Sequence, residues 1–228
     1  MTSDCPILSR REAKRRDRRE AILDVAAGYF LEHGYAGTTM SGIAAALGGS
    51  KGTLWSYFPS KEELFSAVLD QATTAYRARL SEILDPCGEL VPTLRRACIS
   101  LMEKLTSPQA IALHRLVISE ASRFPEMGRI FYKHAPRHTR QLIATFLKGA
   151  MDRGQLRRAD AEEASRILTV LCMSGCHQKL VFGQIDKATP EMIMKDASVA
   201  LDVFMRAYGP GGAPAPAGHE PGGDAQRA

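Results

Sequence analysis

Apolar residues recur every three or four positions along almost the whole chain, and no stretch sustains the strict alternation of a half-buried strand. That pattern leaves room for little but packed helices, so the expected fold class is all-α. Ile22, Val25, Ala26, Tyr29, Phe30 and His33 mark one face of a first helix, with Gly34 placed to close it as a left-handed C-cap. Thr38 and Thr39 are cap residues for a second helix, whose inner face is Met40, Ile43, Ala44 and Leu47. Gly48-Gly49 makes a tight turn. Ser50 caps a short third helix that turns Leu54 and Phe58 inward and stops at Pro59. Ser60 and Glu63 form a capping-box pattern for a fourth helix of about 24 residues, or ~36 Å at 1.5 Å per residue, which connects the first three helices to the rest of the chain.

The remainder reads as a larger helical body. One helix spans Leu90 to Thr106, with Leu94, Cys98, Leu101 and Leu105 inward. Ser107-Pro108 starts the next, Pro at the first helical position costing no hydrogen bond. Phe124-Pro125 ends it and opens another, which Pro136 is expected to break or kink. A further helix runs to Arg153 and is closed by Gly154. Asp160 and Glu163 open a helix expected to continue to Phe182, and Thr189-Pro190 opens the last, with Ile193, Ala197, Ala200, Leu201, Phe204 and Tyr208 on one face. Beyond Tyr208 the Gly/Pro-rich tail cannot bury a core and is expected to be disordered.

Charge is distributed unevenly. Of the net +5, the decade Arg10–Arg19 (RREAKRRDRR) carries seven basic and two acidic residues, so the rest of the chain sums to zero. No Asp or Glu occurs between Glu32 and Glu62. One end of the protein is therefore cationic and poor in carboxylates, the footprint of a polyanion site or of a solvated basic tag. No window approaches 18 consecutive apolar residues, so no membrane span is expected. Five cysteines without a CxxC pair suit reduced thiols, and a cytoplasmic protein is the expectation.

A short helix, a glycine turn and a second short helix form the plan of a helix-turn-helix. The second helix presents Lys51, Thr53, Trp55, Ser56 and Tyr57 outward, polar donors and flat rings suited to base edges, thymine methyls and phosphates. Gly52 allows close approach to a phosphate, and Lys61 beside the free N–H groups of the fourth helix suits a phosphate clamp.

The stretch FLEHGYAGTTMSGIAAALGGSKGTLWSYFPSKEELF, Phe30 to Phe65, resembles the DNA-binding domain of TetR/AcrR-type repressors. The markers are Gly34-Tyr35, Thr38-Thr39, Ile43-Ala44, Ser50 to Leu54, Tyr57-Phe58 and Lys61 to Leu64. HRLVISEASRFPEMGRIFY, His114 to Tyr132, resembles the C-terminal domain of a subgroup that includes multidrug-efflux regulators. The resemblance implies a basic arm (1–18), a three-helix helix-turn-helix domain (19–62), and a helical bundle for ligand binding and dimerisation (63–208), followed by the tail (209–228). It implies a homodimer on double-stranded DNA, with contacts from Thr39, Met40, Ser50, Lys51, Gly52, Thr53, Trp55, Ser56, Tyr57 and Lys61. It also implies release by an apolar or amphipathic small-molecule effector, and control of an exporter gene. Trp55 stands where tyrosine is usual, and Gly49 where a small aliphatic residue is common. The basic arm is placed to follow the adjacent minor groove or its phosphates.

In the body, the expected ligand pocket draws on His114, Val117, Glu120, Phe131, His134, Phe146, Met173 and His177, since such pockets are mostly apolar with a few polar groups. The alternative for each polar member is a satisfied core or surface residue. Cys172 and Cys176, one helical turn apart, raise a rival in which the regulator is switched by thiol oxidation; the pair lacks further metal ligands at recognisable spacing. A non-DNA carrier of apolar ligands is the other rival. No nucleophile elbow, P-loop, dinucleotide fingerprint or HExxH is present, so neither an enzyme nor a cofactor is expected.

Overall fold

The computed structural model describes residues 10–48 and 51–211. The fold is all-α: α1 (Arg10–Gly37), α2 (Met40–Ala46), α3 (Lys51–Tyr57), α4 (Lys61–Ile83), α5 (Leu90–Leu105), α6 (Pro108–Glu120), α7 (Pro125–Tyr132), α8 (His138–Asp152), α9 (Ala161–Met173), α10 (Cys176–Val181) and α11 (Pro190–Tyr208). Local chemistry accounts for most boundaries. The hydroxyls of Thr39, Ser60, Ser107 and Thr189 each accept a backbone N–H at the start of a helix, and Asp160 accepts two. Gly154 turns the chain after α8 at φ 72°, a conformation open to glycine at little cost.

The first three helices form a head and the later ones a body, joined by α4. In the body α5, α8, α9 and α11 pack together, while α4 runs along α1, α5, α7 and α8. Leu94, Leu147, Ala150, Ala164, Cys172, Ala197 and Phe204 are almost wholly buried there. The head buries Ile22, Leu23, Phe30, Tyr35, Ile43, Leu54, Leu64, Phe65 and Leu69. Its core is completed by Leu116 of α6 and Met127 of α7.

Four expectations are corrected. The first helix begins at Arg10, so residues 10–18 of the basic arm are helical and continuous with the head. Gly34 takes φ 71°, ψ 172°, an extended positive-φ kink rather than a left-handed cap, and one more turn follows to Gly37. Pro136 does not break its helix: a π-helical turn over Lys133–Arg137 absorbs it between α7 and α8. The wider i→i+5 turn makes room for a residue with no N–H donor and a bulky ring. The single helix expected from Asp160 to Phe182 is two, parted at Ser174 and Gly175, where the Asp196 carboxylate accepts the Cys176 N–H at 2.7 Å. The tail beyond residue 211, Gly49 and Ser50 lie outside the described residues.

Candidate nucleic-acid interface and its link to the body

The helix-turn-helix is built from α2, the turn at Gly48 (φ 62°) and α3. Ile43 and Ala44 anchor α2; Leu54 and Phe58 anchor α3 and the residue after it, all buried. Burial of those four turns the rest of α3 outward. Gly52 and Ser56 are exposed, Trp55 is 38% exposed, and Thr53 and Tyr57 are half-buried. The Ser56 hydroxyl donates to the Thr53 carbonyl at 2.7 Å, which leaves its oxygen able to accept. Lys51 is the first residue of α3. Thr39 is exposed, with its oxygen engaged by the Gly42 N–H at 3.0 Å, and Met40 packs half-buried against the head core. Gly42 lies so close to the Tyr29 hydroxyl that a Cβ would collide with it, which seats α2 against α1.

Of the expected DNA-contact residues, Ser50 and the side chain of Lys51 lie outside what the structure describes. Thr39, Met40, Gly52, Thr53, Trp55, Ser56 and Tyr57 share this head surface, and Lys51 opens the helix that presents it. Lys61 differs. Its ammonium donates to the Tyr35 carbonyl at 2.9 Å and stands 4.0 Å from the centre of the Tyr35 ring and 5.6 Å from that of Phe124. It is committed to the end of α1 rather than projecting as a bare phosphate clamp.

That end of α1 is where head and body meet. A helix terminus leaves backbone groups without intrahelical partners. Here the Thr38 hydroxyl donates to the Gly34 carbonyl at 2.6 Å, Lys61 serves Tyr35, and the Glu120 carboxylate on α6 accepts the Ala36 N–H at 2.7 Å. Gly34 lies against Glu120 and Leu116. Tyr35, fully buried, donates its phenol to Glu62 at 3.3 Å, and burial raises its pKa well above the usual value. Its ring contacts Phe30, Phe65 and, from the body, Phe124.

The expected pocket residues separate into several places. His114, Phe131, Met173 and His177 come together: His114 Nδ1 and His177 Nε2 are 2.9 Å apart, the Phe131 ring meets His114 edge-on, and the carbonyl of Met173 accepts from His177. Burial lowers both pKa values, His177 to about 4, so the pair is neutral at pH 7. Val117 lies on α6 with the head core, and Phe146 is buried within α8. Glu120 is the α1 tether described above. His134, on the π-turn, hydrogen-bonds Ser66 of α4 at 2.8 Å. Beside it, Arg77, Ala78, His138, Gln141, Leu142 and Thr145 line an open cleft of about 460 Å³ between α4 and α8; of these, only His138 stands out in the sequence, as a polar residue on an otherwise apolar helix.

The thiols face different partners. Cys172 is buried and hydrogen-bonded to Cys98, which raises its pKa, while Cys176 is pushed up to about 11 by burial and its bond to Asp196. The break at Gly175 ends the shared face that a continuous helix implied. Buried thiols held protonated are poor nucleophiles, so the thiol-switch rival loses its support. Among the described residues no cluster of three or more His, Cys, Asp or Glu is arranged to hold a metal ion, and no helix is long and apolar enough to cross a membrane.

Comparison with known proteins agrees with this geometry. A family model described as bacterial regulatory proteins, tetR family, matches residues 22–68, and one described as the AefR-like transcriptional repressor C-terminal domain matches residues 92–210. The uncharacterized HTH-type transcriptional regulator YhgD of Bacillus subtilis is 24% identical over 189 residues, 83% of this chain and 95% of its own. The solved structure of the flavonoid-responsive regulator FrrA is 29% identical with a TM-score of 0.71, over 86% of this chain and 99% of that one. SmeT, described as the repressor of the Stenotrophomonas maltophilia multidrug efflux pump SmeDEF, is 28% identical with a TM-score of 0.62, over 88% of this chain and 97% of its own. A SmeT–triclosan complex superimposes with a TM-score of 0.63 at 25% identity, over 89% of this chain and 99% of that one.

Proposed function

The chain belongs to the TetR family of bacterial regulatory proteins, and on that footing we propose that it is a dimeric transcriptional repressor released from a pseudo-palindromic operator by a small effector. The observation that carries the reading is the bond across the head–body seam, in which Glu120 of α6 holds the last turn of α1 while Leu116 and Met127 complete the head core. A shift of α6 or α7 therefore acts on the helix that supports α3. Two recognition helices must lie about 34 to 36 Å apart to enter successive major grooves. A ligand that prefers the arrangement with a different spacing weakens DNA binding, by linkage. A coupling of roughly 1–3 kcal/mol corresponds to about 5- to 150-fold in operator affinity.

The second copy is assigned to the outer faces of α9 and α11. Val170, Met194, Val199 and Val203 are exposed there, more apolar surface than a monomer needs to show. The effector is assigned to an apolar or amphipathic class carrying aromatic rings. The flavonoid response named for FrrA and the triclosan complex of SmeT support that class, as do the aromatic and neutral imidazole rings at Phe131, His114 and His177. Control of an exporter gene is assigned by likeness to SmeT.

Fluorescence anisotropy of the purified dimer on its own upstream DNA, against a scrambled duplex of equal length, tests the reading. A preference on the order of 10³ or more at physiological salt is expected of a specific binder. Equally weak binding to both, together with an empty genome-wide binding search, would overturn it.

A further inference from the structure

The basic decade is helix, and its charges are sorted. At 3.6 residues per turn, Arg10, Arg11, Lys14, Arg15, Arg18 and Arg19 occupy one half of the N-terminal part of α1. Glu12, Arg16, Asp17 and Glu20 occupy the other. The pairing respects the same division: Arg16 lies 3.8 Å from both Asp17 and Glu20. Among the described residues, Arg10, Arg11, Lys14 and Arg18 enter none of the ion pairs, and all four are exposed. Arg15 stands over the Tyr57 ring at 5.8 Å and Arg19 over the Phe58 ring at 5.3 Å. The cationic half of the helix is thus docked on the C-terminal end of α3, beside the surface assigned to DNA.

We infer that residues 10–19 form a rigid helical outrigger that contacts the phosphate backbone of DNA flanking each half-site, and that they do not enter the minor groove. This rests on the DNA-binding reading above. An α-helix with side chains is about 10–12 Å across, whereas the minor groove is about 6 Å wide, so a helix cannot follow it as an extended arm does. From Arg19 to Arg10 the helix reaches about 14 Å at 1.5 Å per residue. That length of duplex carries about four phosphates on one strand at ~3.4 Å each, which matches the four unpaired cations. Ala13 is the sole apolar residue from 10 to 19, and a helix that lay on a membrane would need an apolar face.

The test combines Arg10→Gln, Arg11→Gln, Lys14→Gln and Arg18→Gln in the full chain, with Arg15 and Arg19 kept to hold the helix on α3. Gln preserves helix propensity, and circular dichroism checks that it does. Binding to a random-sequence 40-bp duplex is followed by anisotropy as salt rises about fourfold from roughly 50 mM. Each phosphate contact adds about 0.9 to the slope of log K against log salt, so the variant's slope becomes shallower by about 2 to 3.6 for each protomer engaged, or up to about 7 for the dimer. Over that range the wild type loses about 15- to 150-fold more affinity than the variant for each protomer engaged. A companion with Arg10→Lys, Arg11→Lys and Arg18→Lys keeps the wild-type slope. An unchanged slope in the Gln variant overturns the inference. So does a wild-type preference for A·T-rich over G·C-rich duplexes that the variant loses, since that is minor-groove readout. The regulator reading fails differently: a wild type that binds every duplex alike but with an outrigger-dependent slope refutes the operator and keeps the outrigger. A wild type that binds no duplex refutes both.

Discussion

The head closes around a cluster of four rings, one of them lent by the body, whereas the body core is mainly aliphatic and small side chains, with Phe146 and the stacked Phe204–Tyr208 pair among them. Phe30, Tyr35 and Phe65 meet at centroid distances of 5.0 to 5.9 Å, and Phe124 of the body adds a fourth ring at 5.4 Å from Tyr35. The body core needs nothing from the head: Leu94, Leu147, Leu168, Ala197 and Leu201 pack among α5, α8, α9 and α11. The head, by contrast, is finished by Leu116 and Met127. A unit of one long and two short helices buries too little surface to stand well alone, and the deficit is met by the body. The helices that complete the head are therefore also the ones able to disturb it, which is what a regulator with two sites requires.

The sharpest break in that contrast comes from Phe65→Ala. Removing a fully buried ring from the head costs about 3–5 kcal/mol, read as a fall in the urea midpoint together with loss of DNA binding. If the body unfolded at its former midpoint in a separate transition, the dependence of head on body would run one way only. Leu116→Ala and Leu147→Ala form a matched pair, each expected to cost about 2–4 kcal/mol. Amide hydrogen exchange should quicken in α1–α3 for Leu116→Ala and in α8–α9 for Leu147→Ala; the same exchange map for both would erase the distinction.

Acid should weaken the body. The folded pKa of His177 is depressed to about 4, while an unfolded histidine titrates near ~6.5. The unfolded chain therefore binds the extra proton, and stability is complete above pH ~6.5 and falls as pH drops toward 4, by up to roughly 1.4 kcal/mol per unit. Burial lowers His114 and His134 as well, with the same sign. Denaturation midpoints between pH 7 and 5 test this, and His177→Gln should flatten the curve. A midpoint that rose on acidification would mean that the folded body holds the proton. Smallest is Gly34→Ala at the seam. It places a Cβ at φ 71° against Glu120, for a loss of about 1–2 kcal/mol and a weaker response of DNA binding to effector. An unaltered Gly34→Ala protein would remove this contact from the coupling.

Much of the fold was legible in local chemistry. The caps at Ser60, Ser107, Asp160 and Thr189, the stop at Gly154 and the inward face of α11 all arise from neighbouring residues. The surface of α3 was legible for the same reason, because Leu54 and Phe58 mark its inner side. The break in α9–α10 was not, since the partner that caps Cys176 is Asp196 on another helix. Glu120 read as a polar group on an apolar helix, suited to a pocket, and became a tether. Lys61 read as a free cation and is turned to Tyr35.

What the sequence by itself determined was most of the helices, their apolar faces and the order of the helix-turn-helix, because periodicity and capping act over three or four residues. Which helices share a core, where the two histidines meet and how α6 holds the end of α1 were decided only in the tertiary structure. The bond from Ala36 to Glu120 spans 84 positions, and no local pattern along the chain encodes the closure of a loop that long.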